Sequence, residues 1–307
     1  MMRTTPRATG CVRATLGSMQ QVASPLDHQV AAPAERVAVH KTVLMCRPEH
    51  FTVSYRINPW MHPEDPTDTS LAVRQWHTLY DTYLSLGYDV ELIDPLPGLP
   101  DMVYAANGGF TLDGIAYGAK FQYDERGPEG PAYMDWFREH GFRVAEPVSV
   151  NEGEGDFLLV GDRILAGTGF RSDAASHDEL RRLFGREVVT LQLVDPSFYH
   201  LDTAVAVLDT DSHDGQGNIA YLPKAFSPES RAIIESLYPD AVVVNDDDAA
   251  VLGLNSFSDG RNVVIASRAV GFEQSLRERG YTPIGVDLSE LLLGGGGVKC
   301  CTLELRR

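Results

Sequence analysis

The chain ends in GGGGVKCCTLELRR, residues 294–307, and this segment decides how the rest of the chain must be arranged. Four glycines lead to two adjacent cysteines, Cys300 and Cys301, and then to a short tail in which apolar and polar residues alternate. Alternation with a period of two is typical of a β-strand. A final strand needs a neighbour, because an unpaired edge exposes backbone groups that promote aggregation. We therefore expect the last strand to pair beside the first.

One pattern recurs upstream of this tail. Two strands joined by a tight turn are followed by an amphipathic helix and a third strand, at spacings typical of arrays and propellers. Four copies are visible: GGFTLDGIAYGAK, AYMDWFREHG and FRVAE; DFLLVGDRILAGT, SHDELRRLFG and EVVTLQL; TAVAVLDTD, NIAYLP, PESRAIIESLYP and AVVVN; NSFSDGRNVVIAS, FEQSLRERG and TPIGVD.

A fifth copy exists only if the two ends of the chain meet. Its pieces are TVLMCRP, LAVRQWHTLYDTYLSLG and YDVELI near the front and CTLELRR at the end. The pattern predicts an α/β fold of five blades, closed by pairing of the N- and C-terminal strands. In such a ring the turns of every blade converge on one axis, so residues that are distant in sequence can share a site.

Composition limits the classes of partner. The 307 residues carry a formal charge of −17 with a pI near 4.8, and no basic patch is visible, so nucleic acid and anionic membranes are not expected partners. Four cysteines are too few for a disulfide scaffold, which favours a reducing cytoplasm. No apolar run approaches the roughly 20 residues that span a bilayer.

The first 38 residues differ in composition from the rest. They are rich in Ala, Arg, Thr, Ser and Pro and contain no acidic residue before Asp27. A transit peptide has this bias, but no clear amphipathic helix emerges, which favours an unstructured extension. We assign residues 1–38 to a disordered extension and residues 39–307 to a single domain.

Polar residues of unusual type cluster where strands begin or end. The five clusters are INPWM at 57–61, VYAANGGF at 103–110, NEGEGDF at 151–157, FYHLDT at 198–203 and KCCT at 299–302. Cys, His and a carboxylate are the side chains that thiolate catalysis requires. The alternatives are an inert buried cysteine pair or a vicinal disulfide, a core histidine and a solvated acidic loop.

Three of these motifs, taken together, resemble the guanidine-modifying enzyme superfamily of arginine deiminases, dimethylarginine dimethylaminohydrolases and glycine amidinotransferases. They are Cys300-Cys301-Thr302, His200-Leu201-Asp202 and the acidic segment 152–156, and the resemblance covers residues from about 40 to 307. It implies a five-bladed α/β propeller that needs no metal or organic cofactor.

The resemblance also implies roles for individual residues. Cys300, two residues before a Thr, is implied to be the nucleophile, and Cys301 then faces away as a packing residue if the two lie on a strand. His200 is implied to transfer protons. Glu152 and Glu154 are both candidate carboxylates, and we favour Glu154. The implied substrate-binding residues in these motifs are Asp202 and Asp156.

Further candidate residues contact the rest of a substrate. Arg126 and Arg171 match arginines that clamp an α-carboxylate in dihydrolase-like relatives, and Asn58 with the backbone near Tyr55 offers further contacts. Asn107 stands where deiminases carry an Asp. An amide can donate to a ureido oxygen as well as accept, although Asn107 before two glycines could also simply cap a turn.

The resemblance therefore implies a cysteine-dependent hydrolase of a free guanidino amino acid. Asn107 favours an arginine dihydrolase, which converts arginine to ornithine, ammonia and carbon dioxide. The alternatives are a dimethylarginine dimethylaminohydrolase, an arginine deiminase or an amidinotransferase that passes the amidino group to an amine. The expected partner is this small substrate, and a homo-oligomer is left open.

Overall fold

Five three-stranded sheets make up the framework of the chain in the computed structural model, which describes Gly10, residues 36–209 and residues 217–307. The chain divides into two units, Met1–Pro33 and Ala34–Arg307, and all five sheets belong to the second. The predicted disordered extension, residues 1–38, lies outside the described residues apart from Gly10 and residues 36–38. In the described part of the chain no helix is long and apolar enough to cross a membrane.

The strands follow the order of the repeats. Their bounds are β1 (Thr42–Cys46), β2 (Asp89–Ile93), β3 (Gly109–Leu112), β4 (Ile115–Gly118), β5 (Arg143–Ala145), β6 (Phe157–Val160), β7 (Arg163–Thr168), β8 (Glu187–Gln192), β9 (Val205–Asp209), β10 (Asn218–Tyr221), β11 (Val242–Val243), β12 (Phe257–Ser258), β13 (Asn262–Ala266), β14 (Thr282–Val286) and β15 (Leu303–Glu304).

The helices connect these strands. They are α1 (Thr69–Ser85), α2 (Glu129–Glu139), α3 (Ala174–Phe184), α4 (Leu201–Ala204), α5 (Pro228–Leu237), α6 (Asp246–Ala249), α7 (Val270–Glu278) and α8 (Ser289–Leu292). Short 3-10 helices lie at Pro100–Val103, Ala105–Gly108, Gly153–Gly155, Pro196–Phe198 and Pro223–Ala225.

Every sheet repeats one topology. The middle strand pairs antiparallel with the strand on one side and parallel with the strand that follows the long helix. The turn of the β3–β4 hairpin is Asp113-Gly114, and both residues have positive φ angles, of 50° and 71°. That conformation suits Asp-Gly and matches the twist of the paired strands. The predicted hairpin, helix and strand of each repeat are confirmed.

The two ends of the described domain pair with each other. Strand β15 lies antiparallel to β1, with Val43 opposite Glu304 and Leu44 opposite Leu303. Leu305 N–H then donates to Thr42 O at 2.8 Å. The predicted pairing of the first and last strands is confirmed.

Helix α1 shows how the helices pack against the sheets. Asp68 caps its first turn by accepting from the backbone N–H of Leu71, which satisfies one of the donors left free at a helix start. Trp76, Leu79 and Tyr83 are fully buried along one face, as the spacing of an amphipathic helix requires. Burying each of these large side chains stabilises the fold by about 1.5–3 kcal/mol.

Candidate active site

The segment that carries Cys300 is a turn and not a strand, because β15 begins only at Leu303. Within this turn Thr302 N–H donates to Lys299 O at 2.9 Å, and the Thr302 hydroxyl donates to Val298 O at 2.7 Å. The expectation that Cys300 and Cys301 face apart because they alternate along a strand is therefore wrong. Both cysteines are buried free thiols, so they form no vicinal disulfide.

The glycine run before this turn is required by close packing. Gly295 has a φ of +88°, and a Cβ atom there would lie 2.8 Å from the Tyr199 hydroxyl and 2.9 Å from the Asn58 side chain. A Cβ atom at Gly296 would lie 2.3 Å from the Tyr104 ring. Larger residues would push the cysteine turn away from the groups it contacts.

Cys300 lies against two polar side chains. Its Sγ donates to Asp202 Oδ2 at 3.3 Å and accepts a hydrogen bond from Asn255 Nδ2 at 3.1 Å. Burial, and next the Asp202 carboxylate, raise the pKa of the Cys300 thiol well above its usual value. Burial also raises the pKa of Asp202 to about 7, although the Lys299 ammonium opposes this shift. Without a ligand the thiol is therefore held in its protonated form.

His200 is paired with Glu152. Its Nε2 lies 2.8 Å from Glu152 Oε2, and Arg171 Nη1 donates to the same oxygen at 2.9 Å. Burial alone would raise the pKa of Glu152, but Arg171 and the hydrogen bond from His200 outweigh it and hold the pKa well below its usual range. Because an ionised carboxylate only accepts, Nε2 carries the proton and Nδ1 is the nitrogen free to exchange protons with a ligand.

Glu154 lies in a different environment, which corrects the preference for it over Glu152. Its carboxylate pairs with Lys299 and Arg306 and accepts from Glu304 N–H at 3.0 Å. Gly153 has a φ of +54°, so the chain reverses between the two acidic residues and sends their side chains to different partners. Glu152 is the carboxylate that contacts His200, while Glu154 holds the C-terminal strand.

Asn107 is oriented by Arg126. Arg126 Nη1 donates to Asn107 Oδ1 at 2.8 Å, while its Nε and Nη2 bind the two oxygens of Glu129 at 3.0 and 2.8 Å. The Asn107 Nδ2 group is left with one long contact of 3.4 Å to Glu152 O. A Cβ atom added at Gly155 would lie 2.4 Å from Asn107 Nδ2 and 3.2 Å from His200 Nδ1, so both atoms lie against Gly155 and close to each other.

Asn58 binds the glycine run that leads to the cysteine turn. Asn58 Nδ2 donates to Gly294 O at 3.0 Å and to the Tyr199 hydroxyl at 3.2 Å. The Tyr55 hydroxyl donates to Asp101 Oδ2 at 2.9 Å. Asp101 is a buried carboxylate that the sequence did not single out.

Asp156, predicted as a substrate contact, is bound by the protein. Its Oδ2 accepts from the Ser172 hydroxyl at 2.6 Å and its Oδ1 accepts from Leu201 N–H at 3.0 Å. Both oxygens are therefore occupied. Asp156 fixes the backbone next to His200 instead of facing the space that His200 borders.

The two arginines predicted to clamp a carboxylate are both buried beside the site. Arg171 donates to Ile57 O at 2.9 Å in addition to Glu152, and its guanidinium stacks on the Tyr123 and Tyr199 rings at 4.7 and 4.6 Å. Arg126 stacks on Phe121 at 4.6 Å. Their role as clamps stays a prediction.

Three buried polar atoms of the site lack a hydrogen-bond partner. They are Asp101 Oδ1, His200 Nδ1 and Asp202 Oδ1. Buried polar atoms without partners are rare, and they indicate where a ligand supplies the missing partners. A ligand with cationic N–H groups would satisfy the two carboxylate oxygens. Within residues 36–209 and 217–307, no three His, Cys, Asp or Glu side chains are grouped so that they could hold a metal ion.

Comparisons with known proteins agree with this chemistry. No protein-family model matches the chain. The N(G),N(G)-dimethylarginine dimethylaminohydrolase of Mycobacterium tuberculosis is 50% identical over 277 residues, which cover 90% of each chain. A bifunctional arginine dihydrolase/ornithine cyclodeaminase of Synechocystis is 35% identical over 270 residues, which cover 86% of this chain and 37% of that relative.

A solved structure supports the same relationship. The N-terminal domain of an arginine dihydrolase from the cyanobacterial ornithine–ammonia cycle, in a Cys-to-Ser variant bound to its substrate, superposes with a TM-score of 0.81 at 34% identity. The superposition covers 87% of this chain and 98% of that domain. The chain shares 50% of its residues with the mycobacterial dimethylarginine dimethylaminohydrolase, over 90% of each chain. It therefore belongs to the guanidine-modifying enzyme superfamily.

Proposed function

We propose that this protein is an arginine dihydrolase, which hydrolyses arginine to ornithine, ammonia and carbon dioxide through a covalent intermediate on Cys300. The observation that carries this proposal is the orientation of Asn107. Its oxygen is taken by Arg126, so its N–H₂ group is the part left beside His200. An N–H₂ group can donate to the oxygen of a ureido product and so retain that product for a second attack.

The first round would begin at the thiol. Cys300 passes its proton to Asp202 Oδ2, the oxygen that it already contacts, and Sγ forms a bond to the guanidinium carbon. The positive charge of the substrate stabilises the thiolate. His200, which takes a second proton from solvent before the reaction and so carries one on each ring nitrogen, donates the Nδ1 proton to the departing amine, and ammonia leaves. Splitting the reaction in this way replaces one difficult step with two easier ones.

Water would complete each round. His200 Nδ1, now neutral, takes a proton from a water molecule that attacks the carbon bound to Cys300. The carbon–sulfur bond breaks, Asp202 returns its proton to the Cys300 sulfur, and a ureido group remains. In the second round Cys300 attacks the ureido carbon, whose oxygen is held by Asn107, and the ornithine amine or a second ammonia departs before hydrolysis releases the remainder. Glu152 keeps the His200 ring in the required orientation throughout.

The amino-acid end of the substrate would lie toward Asp101. Its unpartnered Oδ1 fits an α-ammonium group, and Arg126 and Arg171 lie close enough to affect its pKa. Those two guanidiniums are the proposed partners of the α-carboxylate. This arrangement favours a free amino acid over a peptide, because both charged termini would be recognised in a buried site.

We also infer that the five sheets are the blades of a closed ring. The pairing of β1 with β15 supports this inference, as do hydrogen bonds between the segments that precede successive sheets. Ala106 N–H donates to Cys300 O at 3.0 Å, and Asn255 Nδ2 donates to Asp202 O at 3.2 Å. A ring would bring these segments to one axis, where the site lies.

A second candidate is a dimethylarginine dimethylaminohydrolase. The 50% identity to the mycobacterial enzyme of that name favours it. The same nucleophile, base and carboxylates would serve, with dimethylamine as the leaving group in place of ammonia. The two candidates differ in whether the reaction continues beyond the ureido product.

The deciding experiment follows products from arginine and from asymmetric dimethylarginine by chromatography. Ornithine with two equivalents of ammonia from arginine is the expected result. Citrulline as the final product, or a higher kcat/KM for dimethylarginine, would favour the second candidate. Turnover of arginine only after an amine such as glycine is added would indicate an amidinotransferase.

A further inference from the structure

Each of the five sheets is preceded by a buried polar residue or cysteine. Asn107, Glu154, Asp202 and Cys300 stand two or three residues before β3, β6, β9 and β15. Asn255 stands two residues before β12, at the equivalent point of the fourth repeat. It is fully buried, and it is the only one of the five that the sequence motifs did not identify.

The Asn255 amide uses its whole hydrogen-bonding capacity on the turn that carries Cys300. Its Oδ1 accepts from Gly297 N–H at 3.1 Å and from Cys300 N–H at 2.9 Å. Its Nδ2 donates to Asp202 O at 3.2 Å and to Cys300 Sγ at 3.1 Å. One side chain thus holds both ends of the turn, the sulfur atom and the backbone of Asp202.

These partners fix which way the amide points. The two backbone N–H groups can only donate, so the atom that faces them must be the oxygen. The nitrogen must then face the sulfur. A donor aimed at sulfur stabilises the thiolate more than the thiol, because hydrogen bonds to an ionised acceptor are about twice as strong as neutral ones.

We propose that Asn255 stabilises the Cys300 thiolate by donating a hydrogen bond from Nδ2, while its Oδ1 holds the cysteine turn in place. This inference rests on the proposed function, in which Cys300 is the nucleophile. When the thiol proton passes to Asp202 Oδ2, the sulfur gains a full negative charge within a buried site. The protonated Asp202 carboxyl then donates to this anion, and among the described residues Asn255 is the other side chain that donates to it.

The test is Asn255→Asp, measured as kcat/KM against pH with the guanidino substrate that the wild type turns over. Aspartate keeps an oxygen for the two backbone donors but replaces the donor to sulfur with a second acceptor. We expect kcat/KM to fall by about 10²–10³-fold, as when a donor to a developing anion is removed. The alkaline shift of the pH profile should exceed that of Asn255→Ala, which loses the donor without adding charge.

A matched control is Asn245→Asp, which makes the same change at the N-cap of α6, outside the site. Asn and Asp cap helices about equally well, and the donor to Asp248 Oδ2 that the change removes lies in α6 and not in the site, so the control should keep the wild-type pH profile. If Asn255→Asp does not fold, Asn255→Ser is measured in the same way, since its shorter side chain cannot donate to sulfur.

The outcomes separate this inference from the proposed function. A wild-type pH profile in Asn255→Asp, or equal losses in Asn255→Asp and Asn255→Ala without any shift, would overturn the donor role.

If the wild type turns over neither arginine nor dimethylarginine, the proposed function fails. The inference is then decided by the rate of Cys300 alkylation by iodoacetamide against pH, read by peptide mass spectrometry. Asn255→Asp should shift that rate to higher pH, and an unchanged rate would refute the inference.

Discussion

Asn107 Oδ1 accepts a hydrogen bond from Arg126 Nη1 at 2.8 Å, and Arg126 is itself held by both oxygens of Glu129. All three side chains are buried. An arginine can only donate, so this contact forces the amide nitrogen of Asn107 toward His200. The chemistry that Asn107 offers a ligand is thus set by a residue 19 positions further along the chain.

Asn107→Asp should convert the enzyme from a dihydrolase to a deiminase. The new carboxylate would pair with Arg126 and present a second acceptor where the wild type presents a donor, so the ureido product would no longer be retained. We expect citrulline to accumulate from arginine, whereas the wild type yields ornithine. Product chromatography measures both. As a control, citrulline supplied as the substrate should be consumed by the wild type and not by the variant; ornithine from both proteins would contradict this role for Asn107.

Glu152→Gln and Glu154→Gln should differ in their effect on catalysis. Glu152→Gln removes the anion that orients His200, and we expect kcat to fall by about 10²–10⁴-fold, the range for general acid–base catalysis; it also leaves the buried Arg171 without its carboxylate, so stability falls as well. Glu154→Gln leaves Lys299 without its carboxylate, while Arg306 keeps Glu304; losing one partner of a buried pair costs about 3–5 kcal/mol, and kcat of the folded enzyme should stay close to that of the wild type. Steady-state kinetics and thermal unfolding separate the two effects. A larger kinetic defect in Glu154→Gln would restore the preference for Glu154.

Removing the last six residues, 302–307, should prevent folding. The truncation deletes β15 together with the buried side chains of Leu303 and Leu305, each of which contributes about 1.5–3 kcal/mol. It also removes Arg306, one of the two cations that pair with Glu154. Circular dichroism and size-exclusion chromatography would report the loss. A soluble, active truncated protein would show that the pairing of β1 with β15 is dispensable.

A plot of kcat/KM against pH should rise as the pH approaches 7. Burial raises the pKa of Asp202 to about 7, so this carboxyl is protonated in the free enzyme at acid pH. Protonated Asp202 can neither take the Cys300 proton nor hold a cation. We therefore expect kcat/KM to rise as pH increases toward 7, since kcat/KM reports groups of the free enzyme. A profile that is flat between pH 5 and about 8 would exclude Asp202 from this role.

The sequence predicted the repeats and the pairing of the chain ends because both depend on local patterns. Period-two strands, Asp-Gly turns and amphipathic helices are visible in short windows of sequence. The pairing of the last strand with the first follows because an unpaired last strand would leave an exposed sheet edge. The clusters that contain Cys300, His200 and Asn107 were found in the same way, from unusual polar residues next to strands, and the choice of these three residues came from the family resemblance.

Tertiary contacts account for what the sequence did not predict. The choice between Glu152 and Glu154 depends on the positive φ angle of Gly153, which a Glu-Gly-Glu pattern does not specify. The turn conformation of Cys300 depends on hydrogen bonds that its backbone N–H groups donate to Asn255 Oδ1, 45 positions earlier. Asn255 could have been found by aligning the start of the fourth repeat with the starts of the others.

The most direct test of cysteine-dependent hydrolysis is to locate the covalent intermediate. The protein is mixed with arginine, quenched in acid during turnover and digested, and the cysteine peptides are analysed by tandem mass spectrometry, with Cys301→Ser as the matched control for Cys300→Ser. An amidino adduct on Cys300 in the wild type and in Cys301→Ser, with neither adduct nor turnover in Cys300→Ser, is the predicted result. An adduct on Cys301, or normal turnover by Cys300→Ser, would contradict the account.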